Sequence, residues 1–455
     1  MRTKILIGAA VATAFVGVVL ARSGLQSPAL RDVDEKILRE YTGAYRWGSG
    51  GFVYLQLWNE FSGFDKPAQL VAFDEDGLVR VLYPTAGDEF FAGPGAAVPT
   101  SVEARISFQR DNGGKVTALE WQRQGEAPRA ARRAASEQHE DVRFANGDVR
   151  LAGTLISPTT AGRHPAVILV HGSGAENREY ILPFARFLVR RGVAVLGYDK
   201  RGAGESTGDW KTASFDVLAG DVSAAVEYLK TRRDIDPAQI GLLGVSQAGW
   251  VMPLAAVRAK DMAFLISISG AAIPAAETTI DQARNEMTAA GMKPGTVAEI
   301  VAVIKLQYEF ARTGQGWDDY AAARSRLASK IGRPPDTIPG TPDHPFWRSI
   351  QQWYFYDPGP TLRQLRVPVL AIFGELDNNI VAAKHLPAWE SALKAGGHPD
   401  YTLRILPKAN HYQWEAKTGS NAEMASLQRF VPEYFKTIDD WLAKRVRGFG
   451  AVPAR

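Results

Sequence analysis

The 455-residue chain contains no cysteine. Disulfide bonds, thiolate metal sites and a cysteine nucleophile are therefore excluded. The net charge is also small, because the chain has 53 basic and 49 acidic residues. Three of the basic residues lie in the first 23 positions, which contain no acidic residue. Nothing in the rest of the chain has the clustered basic face of a nucleic-acid-binding protein, so we expect no nucleic-acid partner.

Long apolar runs are confined to residues 5–20, where no residue is charged. Arg2 and Lys4 precede this run, and small residues follow it at the two positions that determine cleavage. Residues 1–23 therefore predict a secretory signal peptide and an exported protein, either periplasmic or secreted. The alternative is an uncleaved inner-membrane anchor at residues 5–20, although this run falls short of the ~20 residues usually needed to span a bilayer. Such an anchor is the only route to membrane association that the sequence offers.

The rest of the chain divides into regions of different composition and hydrophobic pattern. Residues 38–127 contain short β-type runs broken by glycine, aspartate and asparagine, which predicts a small antiparallel β domain. The alanine- and arginine-rich residues 128–140 are typical of a linker. Residues 141–447 alternate apolar strands with amphipathic helices, which favours an α/β domain with a doubly wound, mostly parallel sheet covered on both faces.

Within the α/β domain, a hairpin at residues 141–158 precedes strands predicted at 166–170, 193–198, 240–245, 263–269, 367–373 and 401–406. Helical patterns lie between them at 180–191, 215–231 and 381–395, with a last helix at 427–445. Residues 272–362 interrupt this alternation, with helical patterns at 279–290, 296–311 and 318–329. An insertion between two strands at the active edge of the sheet predicts a helical lid, whose aromatic residues we expect mostly to form its own core.

Ser246 lies where an apolar run ends and a helical stretch begins, within Gly244-Val-Ser-Gln-Ala-Gly249. A sharp strand-to-helix turn requires small residues two positions either side of the serine, as Gly244 and Ala248 are, because larger side chains would collide there. Such a nucleophile elbow presents the hydroxyl at the carboxyl edge of the sheet, beside the unpaired N–H groups of a helix N-terminus. The motif alone is only moderately specific, so its partners decide the interpretation.

A serine nucleophile needs a general base and an acid that orients this base. His411 follows the last predicted strand by a few residues, in a loop at the carboxyl edge of the sheet. The other histidines, apart from His171, are expected to be solvated. The acid should follow the preceding strand, where Asp377 is favoured; Glu375 is the alternate, expected instead to accept loop N–H groups. Ser246, Asp377 and His411 are therefore the predicted catalytic residues.

The transition state also needs donors for the developing oxyanion. The backbone N–H of Gln247, directly after the nucleophile, is one candidate. The glycine-flanked loop after the first core strand supplies the second, with the N–H of Ser173 as first choice and that of Gly174 as alternate. His171 in this loop is expected to brace it rather than to catalyse. The pattern Gly172-x-Gly174 lacks the third glycine of a dinucleotide-binding fingerprint.

These motifs together resemble the α/β-hydrolase superfamily, in its chain order of nucleophile, acid and histidine. They are Val170-His-Gly-Ser-Gly174, Tyr198-Asp-Lys-Arg-Gly-Ala-Gly-Glu-Ser206, Gly244-Val-Ser-Gln-Ala-Gly249, Gly374-x-x-Asp377 and Ala409-Asn-His411. The likeness covers about residues 141–445 and is nearest to bacterial serine esterases related to acyl- and aminopeptidase-type hydrolases. Ala248 stands where many members have glycine, but alanine is still small enough for the elbow.

The resemblance implies a serine hydrolase that acts on a small acyl substrate and needs no metal or organic cofactor. It also implies that the loop containing Asp199, Lys200 and Arg201 lies at the edge of the site, where we expect a structural role. A carboxylesterase is the primary hypothesis, with a peptidase or aminopeptidase on the same triad as the alternative and a noncatalytic binding protein as a third. A peptidase that binds the free amine of its substrate should carry acidic residues near the lid. Asp343 is the only acidic residue between residues 337 and 356, which favours an ester as the substrate.

Overall fold

The computed structural model describes residues 30–58, 68–134, 137–178, 185–259, 261–331, 341–344 and 346–450. The predicted signal segment, residues 1–23, lies outside these ranges. The described residues form two sheets, one of nine strands and one of eight. Across these ranges no helix combines the length and the apolarity that crossing a membrane requires.

The first sheet confirms the antiparallel β domain. It follows helix α1 (Glu35–Tyr41) and contains β1 (Gly43–Trp47), β2 (Phe52–Trp58), β3 (Gln69–Asp74), β4 (Val79–Val81), β5 (Tyr83–Ala86), β6 (Glu89–Ala92), β7 (Ala104–Arg110), β8 (Val116–Arg123) and β9 (Arg129–Arg133). The strand order is β4-β3-β2-β1-β9-β8-β7-β6-β5. Side chains from β3 at one side and β6 at the other meet in one apolar core, so the sheet curls into a nearly barrel-like shape.

Residues 128–140, predicted as a linker, differ from that expectation. They contain β9, which pairs with both β1 and β8, and the start of the next sheet at residue 137. Ala131 is buried in the domain core while Arg129 and Arg132 are exposed. An Arg-Ala-Ala-Arg-Arg sequence has little β propensity of its own, and the pairing with two neighbouring strands therefore decides its structure.

The second sheet confirms the doubly wound, mostly parallel arrangement. Its strands are β10 (Glu137–Asn146), β11 (Val149–Pro158), β12 (His164–Val170), β13 (Ala194–Tyr198), β14 (Ile235–Val245), β15 (Phe264–Ile268), β16 (Val369–Gly374) and β17 (Tyr401–Leu406). They lie in the order β10-β11-β13-β12-β14-β15-β16-β17, and every pair from β13 onward is parallel. Helices α2 (Ala185–Val189), α3 (Phe215–Lys230), α4 (Ala248–Arg258), α10 (Ala382–Ala395) and α11 (Glu433–Ala443) accompany the sheet, and apolar cores lie on its two faces.

Among the described residues between β15 and β16, five helices form an insertion. They are α5 (Ala275–Ala289), α6 (Pro294–Thr313), α7 (Trp317–Ile331), α8 (Phe346–Tyr354) and α9 (Gly359–Leu362). The first three match the predicted helices to within a few residues. Tyr308, Phe310, Tyr320 and Trp347 pack together in a separate apolar cluster, so these aromatic residues belong to the insertion's own core.

The last predicted helix, 427–445, begins six residues too early. In the structure a 3₁₀ helix spans Asn421–Ser426, the next residues are extended, and α11 begins only after Pro432. The extended residues are bound by the β domain, whose Val79 N–H donates to the Gln428 carbonyl at 3.2 Å. A partner distant in the chain therefore overrides the helical pattern of this segment.

Candidate active site

Ser246 occupies the turn between strand β14 and helix α4. Its φ of 58° lies in the left-handed region, which is uncommon for a residue with a side chain. The backbone around it is pinned, because the Ser246 N–H donates to the Ile268 carbonyl at 3.0 Å and its carbonyl accepts from Gly249 and Ala271 at 2.9 and 3.1 Å. Strained backbone held by its surroundings is typical of functional positions.

The small residues around Ser246 are sterically required. A Cβ built on Gly244 would lie 2.4 Å from the Ala248 Cβ and 2.9 Å from the Val170 carbonyl oxygen. On Gly249 it would lie 2.3 Å from the Ala271 backbone nitrogen. Side chains added at positions 244 and 249 would therefore collide with their neighbours at this turn.

Asp377 and His411 form a buried pair at the carboxyl ends of β16 and β17. The His411 Nδ1 lies 2.9 Å from Asp377 Oδ2 and 3.1 Å from Oδ1, with the residues only 5% and 4% exposed. The backbone N–H groups of Asn379 and Ile380 donate to Asp377 Oδ1 at 2.9 and 2.7 Å. Two backbone N–H groups therefore fix the carboxylate, which in turn orients the imidazole.

Close approach of the two loops makes this pairing possible. A Cβ on Gly374 would lie 2.4 Å from the carbonyl oxygens of both Ala409 and Asn410. The residue after β16 therefore touches the segment that carries His411. Glycine is required here for contact between backbones, rather than for an unusual φ.

The loop that follows β17 and carries His411, here the histidine loop, extends past β16 to the end of β15, the strand next to the one that leads to Ser246. Gln413 Nε2 donates to Ser269 Oγ at 2.9 Å. Ser269 directly follows Ile268, whose carbonyl accepts the Ser246 N–H. The strand order β14-β15-β16-β17 thus places the serine, the acid and the histidine at one edge of the sheet, and the loop after β17 spans the intervening strand.

Glu375, the alternate acid, is engaged elsewhere. Its Oε2 accepts the Lys408 N–H at 2.8 Å, at the start of the histidine loop. Lys408 has a φ of 57°, so this bond supports an unfavourable backbone conformation. The role predicted for Glu375 as an acceptor of loop N–H groups matches this contact.

The loop after β12 carries the other predicted donors. The Gly172 N–H donates to Glu176 Oε2 at 2.7 Å, Ser173 is exposed, and Gly174 has a φ of 98°. His171 braces the loop, as expected: its Nε2 lies 2.5 Å from the Tyr198 carbonyl oxygen, and burial lowers its pKa to about 3. A neutral, buried imidazole with this partner has a structural role.

The β domain braces the histidine loop, which the sequence did not reveal. Residues 427–430 bind turns of the β domain. The Ala96 N–H donates to the Leu427 carbonyl at 2.7 Å, and the Phe430 N–H donates to the Gly77 carbonyl at 2.7 Å. On their other side these residues pair with the segment after His411, since the Glu415 N–H donates to the Arg429 carbonyl at 2.8 Å. Two layers of backbone hydrogen bonds thus connect the β domain to the candidate base.

A Gly95→Ala substitution should disturb this brace. The added Cβ would lie 2.7 Å from the Ala425 carbonyl oxygen and 2.9 Å from Ser426 Cα. We expect a stability loss of about 1–3 kcal/mol, as for overpacking, together with a several-fold lower kcat. Thermal unfolding and steady-state kinetics measure the two effects.

Gly48→Ala is the matched control in the same domain, because the nearest atom to its added Cβ, the Ala130 carbonyl oxygen, is 3.9 Å away. It should change stability by no more than about 0.5 kcal/mol and leave kcat unchanged. A Gly95→Ala enzyme that loses stability but keeps full kcat would show that the contact joins the domains without positioning His411.

Helix α5 attaches the insertion to two loops of the site, the one that carries Asp377 and the one that carries His411. Asn285 Nδ2 donates to the Asn378 carbonyl at 3.2 Å, and Glu286 accepts from Ser420 Oγ at 3.2 Å and from the Asn421 N–H. Burial raises the pKa of Glu286 above its usual range. Glu286 is therefore an acidic residue near the site, and it comes from the start of the insertion rather than from residues 337–356.

Among the described residues, no group of three or more histidine, aspartate or glutamate side chains is placed to hold a metal ion. The model of the alpha/beta hydrolase family matches residues 167–422, which is more than half of the chain. The chain belongs to the alpha/beta hydrolase family. The match begins within β12 and spans β14, β16 and β17, so it includes the family elements that carry Ser246, Asp377 and His411.

Two relatives illustrate the range of this hydrolase's similarities. Esterase EstD of Thermotoga maritima is 25% identical over 268 residues, 57% of this chain and 57% of its own length. The quorum-quenching protein AidA of Acinetobacter baumannii is 31% identical over 129 residues, 28% of this chain and 42% of its own length. The chain therefore spans about half the length of these relatives.

Solved structures of similar fold include an esterase of Pyrococcus furiosus, with 19% identity and a TM-score of 0.44, covering 68% of this chain and 92% of that one. An acylaminoacyl peptidase of Pyrococcus horikoshii has 14% identity and a TM-score of 0.43, covering 85% of this chain and 55% of that one.

Proposed function

We propose that this protein is a serine hydrolase that cleaves carboxylic esters through an acyl-enzyme on Ser246. The observation that carries the proposal is the buried pair of His411 and Asp377, at the same sheet edge as a serine held at a φ of 58°. A strained serine and an oriented imidazole at one edge are the parts that nucleophilic acyl transfer needs.

In the proposed reaction, Ser246 Oγ attacks the ester carbonyl carbon while His411 Nε2 takes the hydroxyl proton. Asp377 accepts the Nδ1–H of the imidazole, which sets the tautomer and stabilises the imidazolium. The tetrahedral intermediate collapses, the C–O bond to the alcohol breaks, and His411 returns its proton to the leaving oxygen. Water then attacks the acyl-enzyme by the same route and releases the carboxylic acid.

The proposed oxyanion donors are the backbone N–H of Gln247 and that of Ser173, with Gly174 as alternate for the second. Gln247 directly precedes the first residue of α4. Its N–H is therefore one of the backbone N–H groups at the N-terminus of this helix that have no partner within the helix. Donors fixed before reaction stabilise developing charge without reorganising, and each contributes about 10²–10³ in rate in comparable enzymes.

The helical insertion is proposed to act as the lid and to bind the acyl part of a small substrate. Helix α5 is bonded to both catalytic loops through Asn285 and Glu286. Trp353 of α8 stacks on Trp210 of the sheet domain, with ring centroids 6.1 Å apart. We propose that residues at this boundary set the preference for acyl chain length. We further propose that the enzyme acts after export, in the periplasm or outside the cell.

Peptide hydrolysis on the same triad is the second candidate, and Glu286 is the observation that favours it. Its half-buried carboxylate lies on α5 and bonds the loop that follows His411. An anion at this place could pair with a substrate amine. Since both oxygens already accept bonds from Ser420 and Asn421, however, ester hydrolysis remains the primary proposal.

Two measurements test the proposal. A fluorophosphonate probe should label the wild-type protein, with the adduct mapped by mass spectrometry to the peptide that contains Ser246. Turnover of nitrophenyl esters of graded acyl length is then compared with that of aminoacyl nitroanilides. We expect labelling and ester turnover; absence of labelling in folded wild-type protein rejects the serine mechanism, and anilide turnover without ester turnover favours the peptidase.

A further inference from the structure

Lys200 is a buried cation beside the proposed oxyanion donors. It follows β13 by two residues and is only 3% exposed. Its Nζ donates to the Gly172 carbonyl oxygen at 2.8 Å and to Gln247 Oε1 at 2.7 Å. One ammonium group thus connects the loop after β12 with the turn that follows the nucleophile.

The bond to Gly172 bears directly on the N–H of Ser173. The Gly172 carbonyl and the Ser173 N–H belong to one planar peptide group, in which they point in opposite directions. A cation on the carbonyl oxygen polarises this group and makes the N–H a stronger donor. It also fixes the direction of the N–H, since the adjacent Gly172 N–H is held independently by Glu176 at 2.7 Å.

The bond to Gln247 acts on the other donor. The Gln247 side chain is 7% exposed, so its amide oxygen has little access to water as an alternative partner. Holding this side chain restrains the residue whose backbone N–H is the first proposed oxyanion donor. Lys200 thus bridges the peptide group that contains one proposed donor and the side chain of the residue that supplies the other.

We propose that Lys200 is a positioning residue that holds the N–H groups of Ser173 and Gln247 in place for the oxyanion. This inference rests on the proposed function. It assigns Lys200 a role in transition-state stabilisation, beyond the general structural role expected for its loop.

Titratable side chains from the loop after β12 and from α3 lie around Lys200. Glu176 follows β12, Asp221 lies on α3 and is paired with Arg201 at 2.5 Å, and His171 is kept neutral by burial. Burial lowers the pKa of Lys200 to about 8, against the carboxylates of Glu176 and Asp221, which raise it. Because the ammonium is lost as pH rises through this value, kcat/KM should decline in the same range.

The test compares Lys200→Met with Lys211→Met. Lys211 is an exposed lysine on the same loop, and the two ammonium groups lie 5.6 and 6.0 Å from the ring of Trp210. For Lys200→Met we expect kcat on nitrophenyl esters to fall by about 10–10²-fold, less than for outright loss of a donor, with KM changed less than about threefold. Inhibition by a trifluoromethyl ketone, whose adduct carries the oxyanion, should weaken by a similar factor, and the alkaline decline near pH 8 should disappear. Lys211→Met should match the wild type in all four.

A purely structural lysine would lower the unfolding temperature but leave the ketone affinity, the kcat-to-KM split and the alkaline limb unchanged, and that result overturns the proposal. If Lys200→Met does not fold, Gln247→Met carries the test, because it removes one acceptor and keeps the cation. It should lower kcat and ketone affinity in parallel, and unchanged values overturn the proposal. Failure of the proposed function is distinguishable, since wild-type protein would then neither take up the fluorophosphonate nor turn over esters.

Discussion

Ser246→Ala is expected to lower kcat for nitrophenyl esters by at least about 10³-fold and to abolish fluorophosphonate labelling. The hydroxyl is the proposed nucleophile, and alanine has no oxygen with which to attack the ester carbonyl. Stability should change little, because alanine retains the Cβ and the pinned backbone at a φ of 58°. Kinetics, labelling and thermal unfolding of the purified variant measure the three effects.

Ser269→Ala is the matched control. Ser269 is also a serine at the carboxyl end of a parallel strand with a positive φ, 45°, but its Oγ accepts from Gln413 Nε2. The variant should lose about 1–3 kcal/mol of stability through the unsatisfied amide and keep its labelling. Retained turnover or retained labelling in Ser246→Ala would move the nucleophile away from residue 246.

Asp377→Asn is expected to lower kcat by about 10³–10⁴-fold with the fold intact. The N–H groups of Asn379 and Ile380 both donate to Oδ1, so an asparagine would keep its carbonyl there and turn its NH₂ toward His411 Nδ1. The imidazole would then carry its proton on Nε2 and could not accept one from Ser246. A pH–rate profile with kcat for one ester measures the loss.

Glu375→Gln separates the two candidate acids. Its amide oxygen can still accept the Lys408 N–H that Glu375 Oε2 now accepts at 2.8 Å. We therefore expect less than about a tenfold change in kcat. The opposite ranking, with Glu375→Gln the more damaging variant, would assign the catalytic acid to residue 375.

Local sequence signals were sufficient for much of the α/β domain. The hairpin at Asn146 and Gly147, the apolar strands and the turn at Ser246 each carry their information within about ten residues. The positions of Asp377 and His411 follow from that domain because carboxyl ends of parallel strands share one edge. Their contact was expected from chain order, and its distances come from the close approach at Gly374.

Features that depend on distant partners were not predictable in this way. His164, His385 and His398 were expected to be solvated, but all three are buried. The His385 Nδ1 accepts the Ala272 N–H at 2.9 Å, and His398 Nε2 bonds the Val367 carbonyl at 2.9 Å. Strand β9 and the extended residues before α11 likewise take their structure from pairing with other segments. Burial of a polar side chain depends on whether such a partner exists, which a local pattern does not contain.

The brace between the β domain and residues 427–430 has a consequence for biosynthesis. Arg80 donates to the Gln428 carbonyl across 348 positions of sequence, so the β domain cannot complete this contact during synthesis until residue 428 has been made. Ser246 is translated well before its base can be held in place. We therefore expect a chain truncated before residue 427 to leave the loop that carries His411 without this support.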